Sequence, residues 1–151
     1  MMEYLSDIAG IRIICSFTSD IYQIAEMIAH QADVTVLHVK DYIKNPKPNG
    51  YKSYHMVVTV PVYLSDGPVE TKVEVQIRSV AMDFWASLEH KIAYKFEGNA
   101  PENLLKELKA CADIVDMLDA KMFSLNEAIT AYAAEQRRQE EQAAKTEEEF
   151  S

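Results

Sequence analysis

Residues 74 to 78 read Glu74-Val75-Gln76-Ile77-Arg78. At the two-residue period of a strand, a carboxylate, an amide and a guanidinium fall on one face, with Glu70 and Lys72 beyond them. Converging groups of this kind hold a polyanion and its metal. The plainer alternative is a solvent-facing sheet surface laced by cross-strand ion pairs. A second candidate is Asn45-Pro46-Lys47-Pro48-Asn49-Gly50-Tyr51-Lys52-Ser53-Tyr54-His55. Two prolines and Asn-Gly predict a loop rigid enough to hold Tyr51 out of the core. An aromatic ring among lysines is a platform on which a nucleobase stacks while cations hold its phosphates; otherwise Tyr51 packs on a neighbour. Asp7 precedes the first predicted strand as a cap or turn residue, unless it meets Glu74. Two carboxylates sharing a site hold Mg²⁺ or push each other's pKa values apart.

Other constellations fail. Gly50-Tyr51-Lys52-Ser53 lacks the upstream glycine and the strand-to-helix setting of a P-loop. The four histidines and two cysteines have no zinc spacing. Neither Cys15 nor Cys111 has a visible activating neighbour, so both are expected buried and inert, and no Gly-x-Ser-x-Gly elbow occurs.

The elements that must position these groups follow from pattern. Gly10 to Phe17 is a near-continuous β-branched run, expected as a strand covered on both faces. Val34 to Ile43 and Tyr54 to Tyr63 are further strands, Pro61 placing the end of the latter at a rim. Pro68 to Arg78 is the fourth, with Val69, Thr71, Val73, Val75 and Ile77 alternating against polar residues. Ser65-Asp66-Gly67 joins the last two as a hairpin turn. Thr18 to His30 is an amphipathic crossover helix with Asp20 near its positive end. Val80 to Phe96 places Val80, Phe84, Leu88, Ile92 and Phe96 four apart, and Gly98 stops it. Pro101 opens a long helix. Its apolar residues (Leu104, Leu108, Cys111, Val115, Leu118, Met122, Leu125, Ile129, Tyr132) recur at spacings of four and three. That seam wants a partner helix, from this chain or another, and is expected to pack near Met82 to Phe96. The fold class is α+β, a mixed sheet flanked by helices.

The chain has 151 residues, 48% apolar and 26% charged, an ordinary globular mixture. Three segments are expected: a core over 1–98, a long helix over 99–134 and a charged tail over 135–151, helical at first and frayed by Glu147-Glu148-Glu149. No apolar run is long enough to span a membrane, no leader is evident, and the cytosol is the expected compartment. A net charge of −9 argues against a surface coated for nucleic acid or anionic lipid. Residues 38–55 lean the other way locally, with Lys40, Lys44, Lys47 and Lys52 against Asp41.

Together, Asp7-Ile8-Ala9-Gly10-Ile11-Arg12, Asp41-Tyr42-Ile43, Pro46 through His55 and Glu74 through Arg78 resemble the RelA/SpoT synthetase domain. Met82 to His90 is similar to the small alarmone synthetases in particular. The resemblance implies a nucleotidyltransferase-like mixed sheet and transfer of pyrophosphate from ATP to the 3′-hydroxyl of GDP or GTP, giving ppGpp or pppGpp and AMP. It implies Mg²⁺ held by Asp7 and Glu74, with Glu74 able to activate the 3′-hydroxyl. It also implies guanine stacked on Tyr51, a pocket lined by Lys40, Lys47, Asn49 and His55, support from Gln76 and Arg78, and a homo-oligomer, a tetramer in the family. The family's Arg-x-Lys strand and further lysine, which grip ATP upstream of the Asp7 position, are absent, so the donor site is expected to be incomplete. No His-Asp dipeptide suggests the hydrolase domain of the long relatives. Three functions fit these residues: a synthetase, a guanosine-nucleotide-binding regulatory subunit of one, and a single-stranded RNA binder using the Lys/Tyr loop.

Overall fold

The computed structural model describes residues 9–151; Asp7 lies outside them. The elements run β1 (Ala9–Cys15), α1 (Thr18–Ala29), β2 (Thr35–Asp41), β3 (Tyr54–Leu64), β4 (Gly67–Ser79), α2 (Val80–Lys95) and α3 (Glu102–Phe150). The strands form one sheet in the order β1-β4-β3-β2. β1 runs parallel to β4, and the other pairs are antiparallel. The mixed α+β class is as the sequence predicts. Leu64 pairs with Gly67 across a two-residue turn, and Gly67 has φ +118°, a conformation that glycine adopts without a steric penalty. Pro61 lies past Thr59, the last β3 residue paired with β2.

Alternation divides the sheet. Met56 and Val58 of β3 and Val73, Val75 and Ile77 of β4 are buried on one face, where Ile21 and Ala25 of α1 pack with Met82 of α2. The side chains between them take the opposite face. α1 begins where Asp20 accepts the backbone N–H of Phe17 at 3.1 Å, and α2 where Ser79 Oγ accepts that of Met82 at 3.2 Å.

Four expectations are corrected. β1 is not covered on both faces: Ile11 and Ile14 remain about half exposed, because among the described residues β1 pairs with β4 alone and α1 covers one side. In α2 the buried residues are Met82, Trp85 and Ala86, while Val80, Phe84 and Leu88 face solvent. A row of pure fours advances about 40° per step and walks off the buried face. Cys111 is exposed and Cys15 half-buried. α3 continues to Phe150 without fraying at Glu147; a segment of Glu, Gln, Ala, Lys and Arg has enough helix propensity to outweigh a few tenths of a kcal/mol of like-charge repulsion.

The chain divides into two compact units, Met1–Asp116 and Met117–Ser151. In the first, Leu108 and Ala112 of α3 pack with Trp85 and Ala86 of α2 and with half-buried Tyr51 and Ile92, and Trp85 Nε1–H donates to the Leu108 carbonyl at 2.8 Å. The second unit is helical and leaves Leu118, Met122, Leu125, Ile129 and Tyr132 more than half exposed.

Candidate active site

Strand register brings the chemistry together. Lys40 of β2 pairs with His55 of β3, His55 with Gln76 of β4, and Gln76 with Arg12 of β1. These four side chains form one row across the sheet on the face away from the core. Glu74 stands in the next row, between Val57 and Gly10. Gly10 contributes no side chain there, and the floor opens into a depression of about 210 Å³ lined by Gly10, Ile11, Arg12, Glu74 and Gln76.

Arg78 is the structural hub. It is buried, and its guanidinium donates to Tyr51 Oη at 2.6 Å, Gln76 Oε1 at 3.1 Å, Asp83 Oδ1 at 3.3 Å and Ser53 Oγ at 3.4 Å. Ser53, fully buried, donates onward to the Ile77 carbonyl at 3.4 Å. A planar fork with five donors is suited to such divergent acceptors; a point ammonium is not. Asp83 also lies 3.7 Å from Arg12, so one carboxylate serves two guanidiniums.

The hydrogen bonds continue beyond Arg78. Tyr51 Oη accepts from Arg78 and makes a second hydrogen bond with His55 Nε2 at 3.1 Å, in which the tautomer of the imidazole decides the donor. The other ring nitrogen, Nδ1, lies 3.9 Å from Glu74 Oε1. Burial lowers the His55 pKa from 6.5; Glu74 opposes the shift, while Arg78, Lys47 and Lys40 reinforce it. Gln76 Nε2–H donates to Glu74 Oε1 at 3.3 Å, and the Glu74 side chain stays 42% exposed, leaving its carboxylate accessible.

The loop before β3 is built by its own turn chemistry. Gly50 N–H donates to the Lys47 carbonyl at 2.9 Å, Lys47 N–H to the Tyr51 carbonyl at 3.1 Å, and Tyr51 N–H to Asn49 Oδ1 at 3.0 Å. Its entry is tied by Asp41, whose carboxylate accepts the N–H groups of Ile43 and Lys44 and the hydroxyl of Tyr22. Burial, with Asp41 beside it, pushes the Tyr22 pKa up to about 12. Gly50, at φ +97°, presses on α3: a Cβ there would lie 2.7 Å from that of Ala112.

Of the residues singled out in the sequence, Glu74, Gln76, His55, Lys40 and Arg78 share this sheet face, and Lys47 and Tyr51 adjoin it through the loop. Tyr51 is only half out of the core. Its ring packs beside Trp85, edge-on to His55 and Tyr42, and the Lys47 ammonium and Arg78 guanidinium lie 5.1 and 5.3 Å from its centroid. Asn49 spends its side-chain oxygen on the turn. Arg12, Ser53 and Asp83 were not anticipated. Arg12 reaches the site only through the parallel pairing of β1 with β4, which no local pattern shows, whereas the place of Asp83 in the first turn of α2, directly after β4, was a signal in the sequence.

No group of three or more His, Cys, Asp or Glu side chains able to hold a metal occurs among the described residues. One accessible carboxylate on an open depression suits a cation that takes most of its ligands from substrate phosphates and water, as Mg²⁺ does. No helix among the described residues is long and apolar enough to cross a membrane.

Comparison with known proteins finds a family and several relatives. A family model described as a region found in RelA / SpoT proteins matches residues 1–99. The chain is 49% identical over 129 residues to GTP pyrophosphokinase YwaC of Bacillus subtilis, covering 85% of this chain and 61% of that protein. It is 39% identical over 145 residues to GTP pyrophosphokinase YjbM of the same organism, covering 93% and 69%. Among solved structures, small alarmone synthetase 1 from Bacillus subtilis, bound to its product pppGpp, matches with a TM-score of 0.78 at 40% identity, over 83% of this chain and 65% of that one. The chain thus spans roughly two thirds of these relatives' lengths.

Proposed function

We propose that this chain, which belongs to the RelA/SpoT family, transfers pyrophosphate from ATP to the 3′-hydroxyl of GDP or GTP, making the cytoplasmic alarmones ppGpp or pppGpp. The observation that carries the reading is the connected set Arg78–Tyr51–His55, ending 3.9 Å from Glu74 beside an open depression. In the reaction the 3′-oxygen bonds to the β-phosphorus. The bond from that phosphorus to the α,β-bridging oxygen breaks, AMP leaves with the oxygen, and the 3′-proton passes to the Glu74 carboxylate. Such a displacement needs in-line placement and charge neutralisation more than covalent help.

Tyr51 offers its ring to guanine, with Lys47, Lys40 and His55 around the nucleotide and Asn49 holding the turn that presents them. Gln76 and Arg78 keep Glu74 and Tyr51 in position. Arg12, 57% exposed, is the cation of the depression and meets phosphate. Glu74, together with Asp7, would hold Mg²⁺, which when bound neutralises the transferring phosphates. The exposed seam from Leu118 to Tyr132 is suited to a second copy of the chain; a mass in solution equal to the monomer's would count against that assembly.

The test is incubation of the purified chain with Mg²⁺, ATP and GDP, read by chromatography for AMP and ppGpp, beside Glu74→Gln. Product from the parent and a loss of at least about a hundredfold in the variant, the scale of a positioned general base, is the expected result. GDP binding without turnover would instead identify a regulatory subunit. RNA binding that is steeply salt-dependent and indifferent to Glu74 would identify a stacking module.

A further inference from the structure

Lys52 and Asp116 make an ion pair that none of the chemistry above uses. Lys52 Nζ lies 2.7 Å from Asp116 Oδ1, with the lysine side chain 17% exposed and the aspartate 58%. Lys52 directly follows Tyr51. Two residues before it, Gly50 touches α3 at Ala112, one helical turn from Asp116. The tip of the loop is thus fixed to the first unit's stretch of α3 at two points four residues apart. A pair between fully exposed chains would contribute little. Here the lysine side chain is mostly packed against the protein, so its stem is held in place and the short ion pair fixes its end to α3.

We propose that Lys52 and Asp116 are positioning residues for the guanosine nucleotide: their ion pair latches the loop to α3 and so sets the pose of Tyr51 and Lys47. The inference rests on the function proposed above. It makes α3 a determinant of acceptor-nucleotide affinity without any contact to the nucleotide.

The experiment measures GDP binding by calorimetry, and steady-state kinetics, in Lys52→Met, Asp116→Asn and the exchanged pair Lys52→Glu/Asp116→Lys, with exposed Asp113→Asn as control. Each single variant is expected to weaken GDP binding about three- to tenfold and to raise the GDP KM alike. The ATP KM and kcat should stay within about twofold, and the exchanged pair should recover most of the loss. GDP affinity unchanged in Asp116→Asn, or an equal rise in both KM values, would overturn the latch. A parent chain that binds no GDP would mark failure of the underlying reading instead. Amide exchange at Lys47, Gly50 and Tyr51 then decides separately: faster exchange in Asp116→Asn than in Asp113→Asn upholds the latch, and equal rates overturn it.

Discussion

Replacing Arg78 by methionine tests how much of the site's order comes from one buried guanidinium. Four contacts disappear, but their loss is unequal. Asp83 keeps Arg12 at 3.7 Å, Tyr51 keeps His55 at 3.1 Å, and Ser53 still donates to Ile77. Only the acceptor positions of Gln76 and Ser53 lose their donor outright, and half-exposed Gln76 can recruit water. A charge-assisted hydrogen bond is worth about 1.5–3 kcal/mol and an orphaned buried acceptor costs about 1–3. A destabilisation of about 2–4 kcal/mol follows. The first unit, at about 0.05–0.15 kcal/mol per residue, should survive that loss. Arg78→Lys should cost nearly as much despite keeping the charge, since one ammonium cannot reach acceptors that diverge around a planar fork. Urea unfolding is the assay, followed by the fluorescence of Trp85, the single tryptophan of the chain, which lies 6.4 Å from the Tyr51 ring. If Arg78→Met shifts stability by less than about 1 kcal/mol, or Arg78→Lys is silent, the hub argument is wrong.

Two further outcomes follow from local geometry. Gly50→Ala combines a left-handed backbone conformation, about 1–2 kcal/mol, with overpacking against Ala112, about 1–3 kcal/mol; urea midpoints should show a smaller penalty for it in an Ala112→Gly background, where only the clash is relieved. His55, held below its ordinary 6.5 in the folded state, takes its proton first in the unfolded chain. Its contribution is therefore complete above pH 6.5 and is lost as pH falls from 6.5 toward the lowered folded value, a slope that His55→Gln should flatten in the same unfolding measurement between pH 5 and 8.

The four strands, α1, α2 and the start of α3 were legible in the sequence to within one or two residues at their boundaries, because alternation in β4 and turn chemistry at Ser65-Asp66 are local signals; the far end of α3 was not, since charge repulsion in Glu147-Glu148-Glu149 reads as fraying while the helix runs on to Phe150. Burial was less legible. The α2 residues that pack were misjudged because side-chain spacing shows that a helix has a face but not where its neighbours sit. β1 reads as a covered strand because Ile11, Ile13 and Ile14 are apolar whether or not anything lies on them. At the site, Glu74, Gln76 and Arg78 were visible as one face of one strand. That Arg78 turns inward to hold Tyr51 and Ser53, and that Arg12 and Asp83 meet, depends on partners dozens of residues apart in the chain. Tyr51 combined both readings offered for it, packing on a neighbour while adjoining the candidate site.

The mixed sheet also divides the site by age. β3 and β4 are joined by a two-residue turn, so His55, Glu74 and Gln76 come together through a short closure. β1 reaches β4 only by closing roughly sixty residues, Ala9 against Val73, which makes it a late arrival in folding. β1 and β2, the two edge strands, are each paired on one side among the described residues, and such strands are released at lower cost than the central pair. Transient departure of β1 would take Arg12 and the open floor at Gly10 with it and leave the Arg78 cluster standing. The centre of the site, His55, Glu74, Gln76 and the Arg78 cluster, is thereby the durable part, and the flanks that carry Arg12 and Lys40 are the parts the chain can release.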